Sequence, residues 1–172
     1  MIIKPLTCLL IIIPFLGCEN TVSPEDHAAH SWYFNSFESA ADTSGWRGNA
    51  PVAIENNAPS NGGKHSALVS GGCLIPHAYF EFDPVKEDSY FILRCWGKNL
   101  GTGGTVSLSL GNDWQHSINI DVKDSAWTLY ESADYLFVPQ NQNMQLVLNA
   151  GGLLASPMLV DLIEIELVKP RQ

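Results

Sequence analysis

A chain of 172 residues, 45% hydrophobic and 16% charged, has enough apolar material for one domain with its own core. Its formal net charge of −9 sets nucleic acid and anionic lipid aside as partners, because both carry the same sign.

Residues 1–5 carry one cation, Lys4, and residues 6–16 are almost wholly apolar. A run of about a dozen apolar residues is too short to span a bilayer and right for the apolar region of a signal peptide. It ends in FLGC, with Gly17 before Cys18. This order resembles the lipobox of bacterial lipoproteins, with Phe15 where Leu is more usual. The resemblance implies a signal peptide over 1–17, lipidation of Cys18 and membrane association through the lipid alone. The expected location is the bacterial outer membrane or cell surface, with a periplasm-facing orientation left open. An ordinary secretory signal with an incidental cysteine is the alternative. Residues 18–31 are polar and without periodicity, and read as a tether.

From residue 32 to 169 the chain is a series of short alternating segments divided by turn residues, with no convincing helical period. Strands are expected at 32–38, 64–70, 77–82, 91–98, 104–110, 115–122, 127–138, 144–149 and 159–168. Residues 42–59, with GWRGN and NNAPSNGG, read as loop. GTGG at 101–104 separates two strands tightly. Turn signals at this spacing predict an all-β, antiparallel β-sandwich. In FILRCWGK (91–98), Phe91, Leu93 and Cys95 point one way and Ile92, Arg94, Trp96 and Lys98 the other. The first set serves a core; the second sets a guanidinium beside an indole.

The ordered motifs resemble the jelly-roll carbohydrate-binding modules with a galactose-binding-like fold. Asn35, Phe37 and Glu38 stand for the opening Asn-x-x-Phe-Glu, one residue tighter, and Gly45-Trp46 follows. GKHSALV (63–69) fits a Gly-Lys-Tyr-Ser-Leu segment, with His65 for Tyr. FILRCWGK matches the aromatic strand, and Trp127 with Phe137 to Pro139 matches a Trp-led strand ending in Phe-x-Val-Pro. Val160, Asp161, Ile163 and Ile165 match the closing element. The resemblance spans most of 34–168. It implies carbohydrate binding without catalysis, Trp46 and Trp127 in the core, and a structural calcium near Glu38 and Asp161. Calcium is a hard cation that takes carboxylate and carbonyl oxygens. Asp161 shares the parity of Ile163 and Ile165 and so is expected to point toward the inside edge, where backbone N–H groups are the alternative partners.

Candidate ligand-binding residues are Trp96 and Arg94, together with Trp114, His116 and Tyr79. Aromatic rings stack on sugar rings, while guanidinium, imidazole and amide groups bond hydroxyls. The alternative is that loops cover Trp96 and that Trp114 only anchors its loop. Cys73 and Cys95 are the cysteines left in the mature domain, in an oxidising compartment; one disulfide or two buried thiols both fit. No nucleophile elbow, HExxH or phosphate loop is present, and Glu164 with Glu166 reads as an outward, solvated pair rather than a glycosidase acid and nucleophile. A structural or protein-interaction sandwich with no glycan site is the alternative function.

Overall fold

The computed structural model describes residues 31–70, 77–151 and 156–168. The strands are β1 (Tyr33–Asn35), β2 (Arg47–Gly48), β3 (Val52–Glu55), β4 (Ser66–Val69), β5 (His77–Glu81) and β6 (Ser89–Asn99). They continue with β7 (Gly104–Leu110), β8 (Asp113–Val122), β9 (Thr128–Glu131), β10 (Leu136–Val138), β11 (Met144–Ala150) and β12 (Met158–Val168). They form two antiparallel sheets. The seven-stranded sheet runs β10-β6-β12-β4-β3, with β1 also on β12 and β9 also on β6; the five-stranded sheet runs β2-β5-β11-β7-β8. The expected all-β jelly-roll sandwich is therefore the observed architecture.

The core lies between the sheets because each strand alternates. Phe91, Leu93 and Cys95 of β6 are fully buried, as are Leu146 and Leu148 of β11 and Val106 and Leu108 of β7. Met158, Val160, Ile163 and Ile165 of β12 join them. Burying each large apolar side chain stabilises the fold by about 1.5–3 kcal/mol. Gly97 continues the inner face of β6. A Cβ there would sit 2.8 Å from Val122 and 3.2 Å from Tyr130, so its lack of a side chain lets the layers close.

Several boundaries differ from expectation for identifiable reasons. The first strand stops at Asn35, whose side-chain oxygen accepts the Phe37 N–H; Phe37 then takes φ 51° and a 3-10 turn follows at Ala40–Thr43. The expected strand over 127–138 is two strands, both on β6, broken where the Ser132 hydroxyl donates to the Asp134 carbonyl. Residues 42–59, expected as loop, contain β2 and β3; their turn chemistry hid two short edge strands. A bulge in β12 between Asp161 and Glu164, with Leu162 at φ 45°, changes the parity. Val160 and Ile163 both face the core, so the expectation that Asp161 shares the face of Ile163 and Ile165 is corrected: Asp161 stands opposite Trp96 in the register.

Candidate functional site

The five residues expected to bind ligand fall on two different sheets. Arg94 and Trp96 do lie on the outer side of the seven-stranded sheet. There the Arg94 Nε donates to Glu131 Oε2 at 2.5 Å and its Nη1 donates to Glu166, while Glu164 Oε2 stands 4.0 Å away. Glu131 and Glu164 are its register partners on β9 and β12. The guanidinium fork is thus occupied by carboxylates of its own sheet. Trp96 is half-buried between Leu129 and Asp161 in the register. Glu164 and Glu166 point outward, as expected, but serve Arg94 rather than bulk solvent alone.

The outer side of the five-stranded sheet is organised differently. One row across the strands is Arg47, Tyr79, Val147, Ser107 and Asn119. The next is His77, Asn149, Thr105 and Asp121, and a third is Glu81, Gln145, Ser109 and Ser117. The opposite parity of these strands is buried: Ala78 and Leu148 are fully enclosed, and Ile120 nearly so. At about 4.8 Å per strand, five strands set side by side span roughly 19 Å. The rings of His77 and Tyr79 lie nearly parallel, 14° apart with centroids 6.4 Å apart. Gln145 Nε2 donates to Asn112 Oδ1 at 3.1 Å, and Asn119 Nδ2 to Ser117 Oγ at 3.1 Å. Of the expected ligand residues only Tyr79 stands in these rows. Arg47, His77, Asn149, Asn119 and Gln145 were missed. For Gln145 and Asn149 the signal was present in the alternation of MQLVLNA, where amides take two of the three outward places.

Trp114 and His116 lie in β8, at the end next to its turn from β7. Trp114 is 77% exposed. His116 Nδ1 lies 2.7 Å from Asp113 Oδ2, and the imidazole holds that exposed carboxyl below its ordinary value.

The expected calcium residues do converge. The Gly62–Gly63 turn abuts both carboxylates: a side chain at Gly62 would strike Asp161 Oδ2, and one at Gly63 would strike Glu38. Glu38 Oε1 accepts the backbone N–H groups of Lys64 at 3.0 Å and His65 at 3.1 Å. Asp161 is fully buried; Oδ1 accepts the Leu162 N–H at 2.7 Å and Oδ2 has no partner among the described residues. Burial, with a smaller push from the Glu38 charge and against the Leu162 hydrogen bond, raises the Asp161 carboxyl to about 8. Asn61 Oδ1, in the same turn, is also buried without a partner. Orphaned oxygens of this kind fit a hard cation completed by amide and carbonyl oxygens. Among the described residues no three His, Cys, Asp or Glu side chains come together as a metal set.

Cys95 is a free, fully buried thiol in the core, and burial pushes its pKa up to about 12. Its side chain turns into the apolar interior, and the expected bridge involves a cysteine at 73. Cys73 itself, like Cys18 and the expected signal and tether, lies outside the described residues. Trp46 packs on the core against Phe37 and Phe80, at centroid distances of 6.0 and 5.8 Å. Trp127, expected in the core, is only half-buried and donates its indole N–H to Asn57 Oδ1 at 3.1 Å. Trp32 stands edge-on to Phe82 and Phe91 and closes one end of the sandwich.

No family model matches the chain, and neither does any curated protein. Solved structures do resemble it. The CBM22-1 xylan-binding domain from Paenibacillus barcinonensis Xyn10C superposes with a TM-score of 0.59 at 19% identity, over 81% of this chain and 95% of that one. A family 16 carbohydrate-binding module gives 0.54 at 17% identity, over 72% and 91%. TmCBM61, solved with β-1,4-galactotriose, gives 0.50 at 12% identity, over 73% and 90%. At these identities what is shared is the fold: the chain is built as a jelly roll of the kind found in carbohydrate-binding modules.

Proposed function

We propose that this protein is a non-catalytic carbohydrate-binding lipoprotein of the bacterial envelope, and that glycan lies across the outer side of the five-stranded sheet. One observation carries the reading. That side presents an aromatic pair, His77 and Tyr79, among the amides and hydroxyl of Gln145, Asn149, Asn119 and Thr105, with the apolar parity turned inward. A ring that stacks on a sugar, set among fixed hydrogen-bonding groups, is the make-up of a polar small-ligand site. Structures of similar fold whose titles name xylan or β-1,4-galactotriose support the class of ligand without naming the glycan. Screening the purified protein on a glycan array, with Tyr79→Ala alongside, tests the reading. Binding that is lost in the variant is expected; binding unchanged by Tyr79→Ala moves the site elsewhere.

The anchoring belongs to the same proposal. Cys18 is the lipidated residue, and Cys18→Ser should release the protein from the membrane fraction or leave its precursor unprocessed. Calcium is its structural companion: Asp161, Glu38 and Asn61 would hold it, screening two neighbouring carboxylates and fixing the turn that joins them. Calcium should then raise the melting temperature, and Asp161→Ala should abolish the rise. A melting temperature indifferent to calcium and to chelator would count against the site.

A further inference from the structure

At the β2 edge of the five-stranded sheet lies a cavity of about 430 Å³, lined by Thr43, Trp46, Arg47, Gly48, Asn49 and their neighbours. One of its lining residues, Arg47, carries donors that find no acceptor among the described residues. The Arg47 side chain is exposed and makes no ion pair among the described residues. Of the two described arginines, Arg94 collects two carboxylates and Arg47 none. The nearest acid along the chain, Asp42, is engaged elsewhere, accepting from the Ser39 N–H at 2.8 Å and hydroxyl at 3.1 Å. The position of Arg47 is fixed. It pairs with Tyr79 in the register, and the next residue, Gly48 at φ 132°, approaches the His77 carbonyl more closely than any side chain would allow. The Asn49 and Ala50 N–H groups both donate to that same carbonyl at 3.1 Å.

A guanidinium fork matches a carboxylate in two parallel hydrogen bonds. We infer that this cavity takes the carboxylate of an acidic sugar: the glycan on the sheet carries uronate residues, and the Arg47 guanidinium reads one of them. The inference rests on the glycan platform proposed above and names its substrate class. The overall charge of −9 repels a chain with a carboxylate on every unit, so the fitting ligand is a neutral glycan bearing isolated uronates.

The test is a matched pair of ligands: a glucuronate-substituted polysaccharide and the same polysaccharide with its carboxyl groups chemically reduced to alcohols. The full chain is titrated with each, as wild type and as Arg47→Gln, Arg47→Lys and Tyr79→Ala. The wild type should prefer the uronate form by about ten- to hundredfold, the gain from one charge-assisted contact. Arg47→Gln should bring the uronate form down to the level of the reduced form, and Arg47→Lys should keep only part of the preference. Equal binding of both forms by the wild type, with both lost in Tyr79→Ala, overturns the acidic reading and leaves the platform standing. A preference that survives Arg47→Gln in a folded variant also overturns it. Binding of neither form removes the platform and the inference together.

Discussion

The two outer faces of this sandwich use similar residue types and arrive at opposite states. On the seven-stranded sheet Arg94 stands beside Trp96, which reads as a binding pair, yet Glu131 and Glu166 occupy the guanidinium. On the five-stranded sheet Arg47 stands opposite Tyr79 with no carboxylate paired to it among the described residues. The difference lies in the cross-strand partners, since residues facing one another across a sheet interact first with each other. A cation on a strand is available for ligand only when its neighbours in the register leave it so.

The inner face common to both sheets sets the scale of what can be broken. Leu93→Ala removes a fully buried side chain and should lower stability by about 2–5 kcal/mol, read by denaturant titration. A loss below 1 kcal/mol would mean that β6 is not the centre of the core. The next effect separates the two outer faces: Tyr79→Ala should weaken glycan binding by about 1–3 kcal/mol, while Trp96→Ala leaves it unchanged. Smaller again is Arg94→Ala. Its ion pairs are partly exposed, so stability should fall by about 1 kcal/mol or less. The glycan titration of that variant should match the wild type.

A pH scan sharpens the account of the Asp161 corner. With calcium chelated, the folded Asp161 carboxyl titrates at about 8 against an ordinary value of 3.8. Between these values the folded state keeps a proton that the unfolded chain has lost, so stability falls as pH rises from about 4 toward 8. Asp161→Asn should flatten that slope. An unchanged slope in the variant would place the titrating group elsewhere.

Much of the fold was legible in the sequence because period-two alternation is a direct record of burial. Phe91, Leu93 and Cys95 point inward as the pattern of β6 requires, and the closing strand carries Ile163 and Ile165 into the core. The pattern failed where the chain departs from regular pleating. The bulge at Asp161 reversed a parity argument while leaving the residue buried, and GWRGN concealed a two-residue strand within turn chemistry. The candidate site was less legible. A large aromatic beside a cation reads as a binding pair, but the ion pairs that occupy Arg94 join it to residues 37 and 72 positions away. Tyr79 was found, but the amides that surround it come from β8 and β11, and only the register of the sheet brings them into rows. The Glu38–Asp161 pairing came from the resemblance alone, since 123 residues separate two carboxylates that the folded chain sets against a single turn.

The central claim is that the glycan lies on the five-stranded sheet. Mapping backbone amide shifts while the labelled protein is titrated with a glycan that it binds tests this most directly, since one titration compares both faces. The account predicts perturbations in residues 77–81, 105–109 and 145–149, with residues 90–98 and 164–168 unmoved. Perturbations confined to 90–98 and their neighbours on β9 and β12 would contradict it and return the site to Arg94 and Trp96.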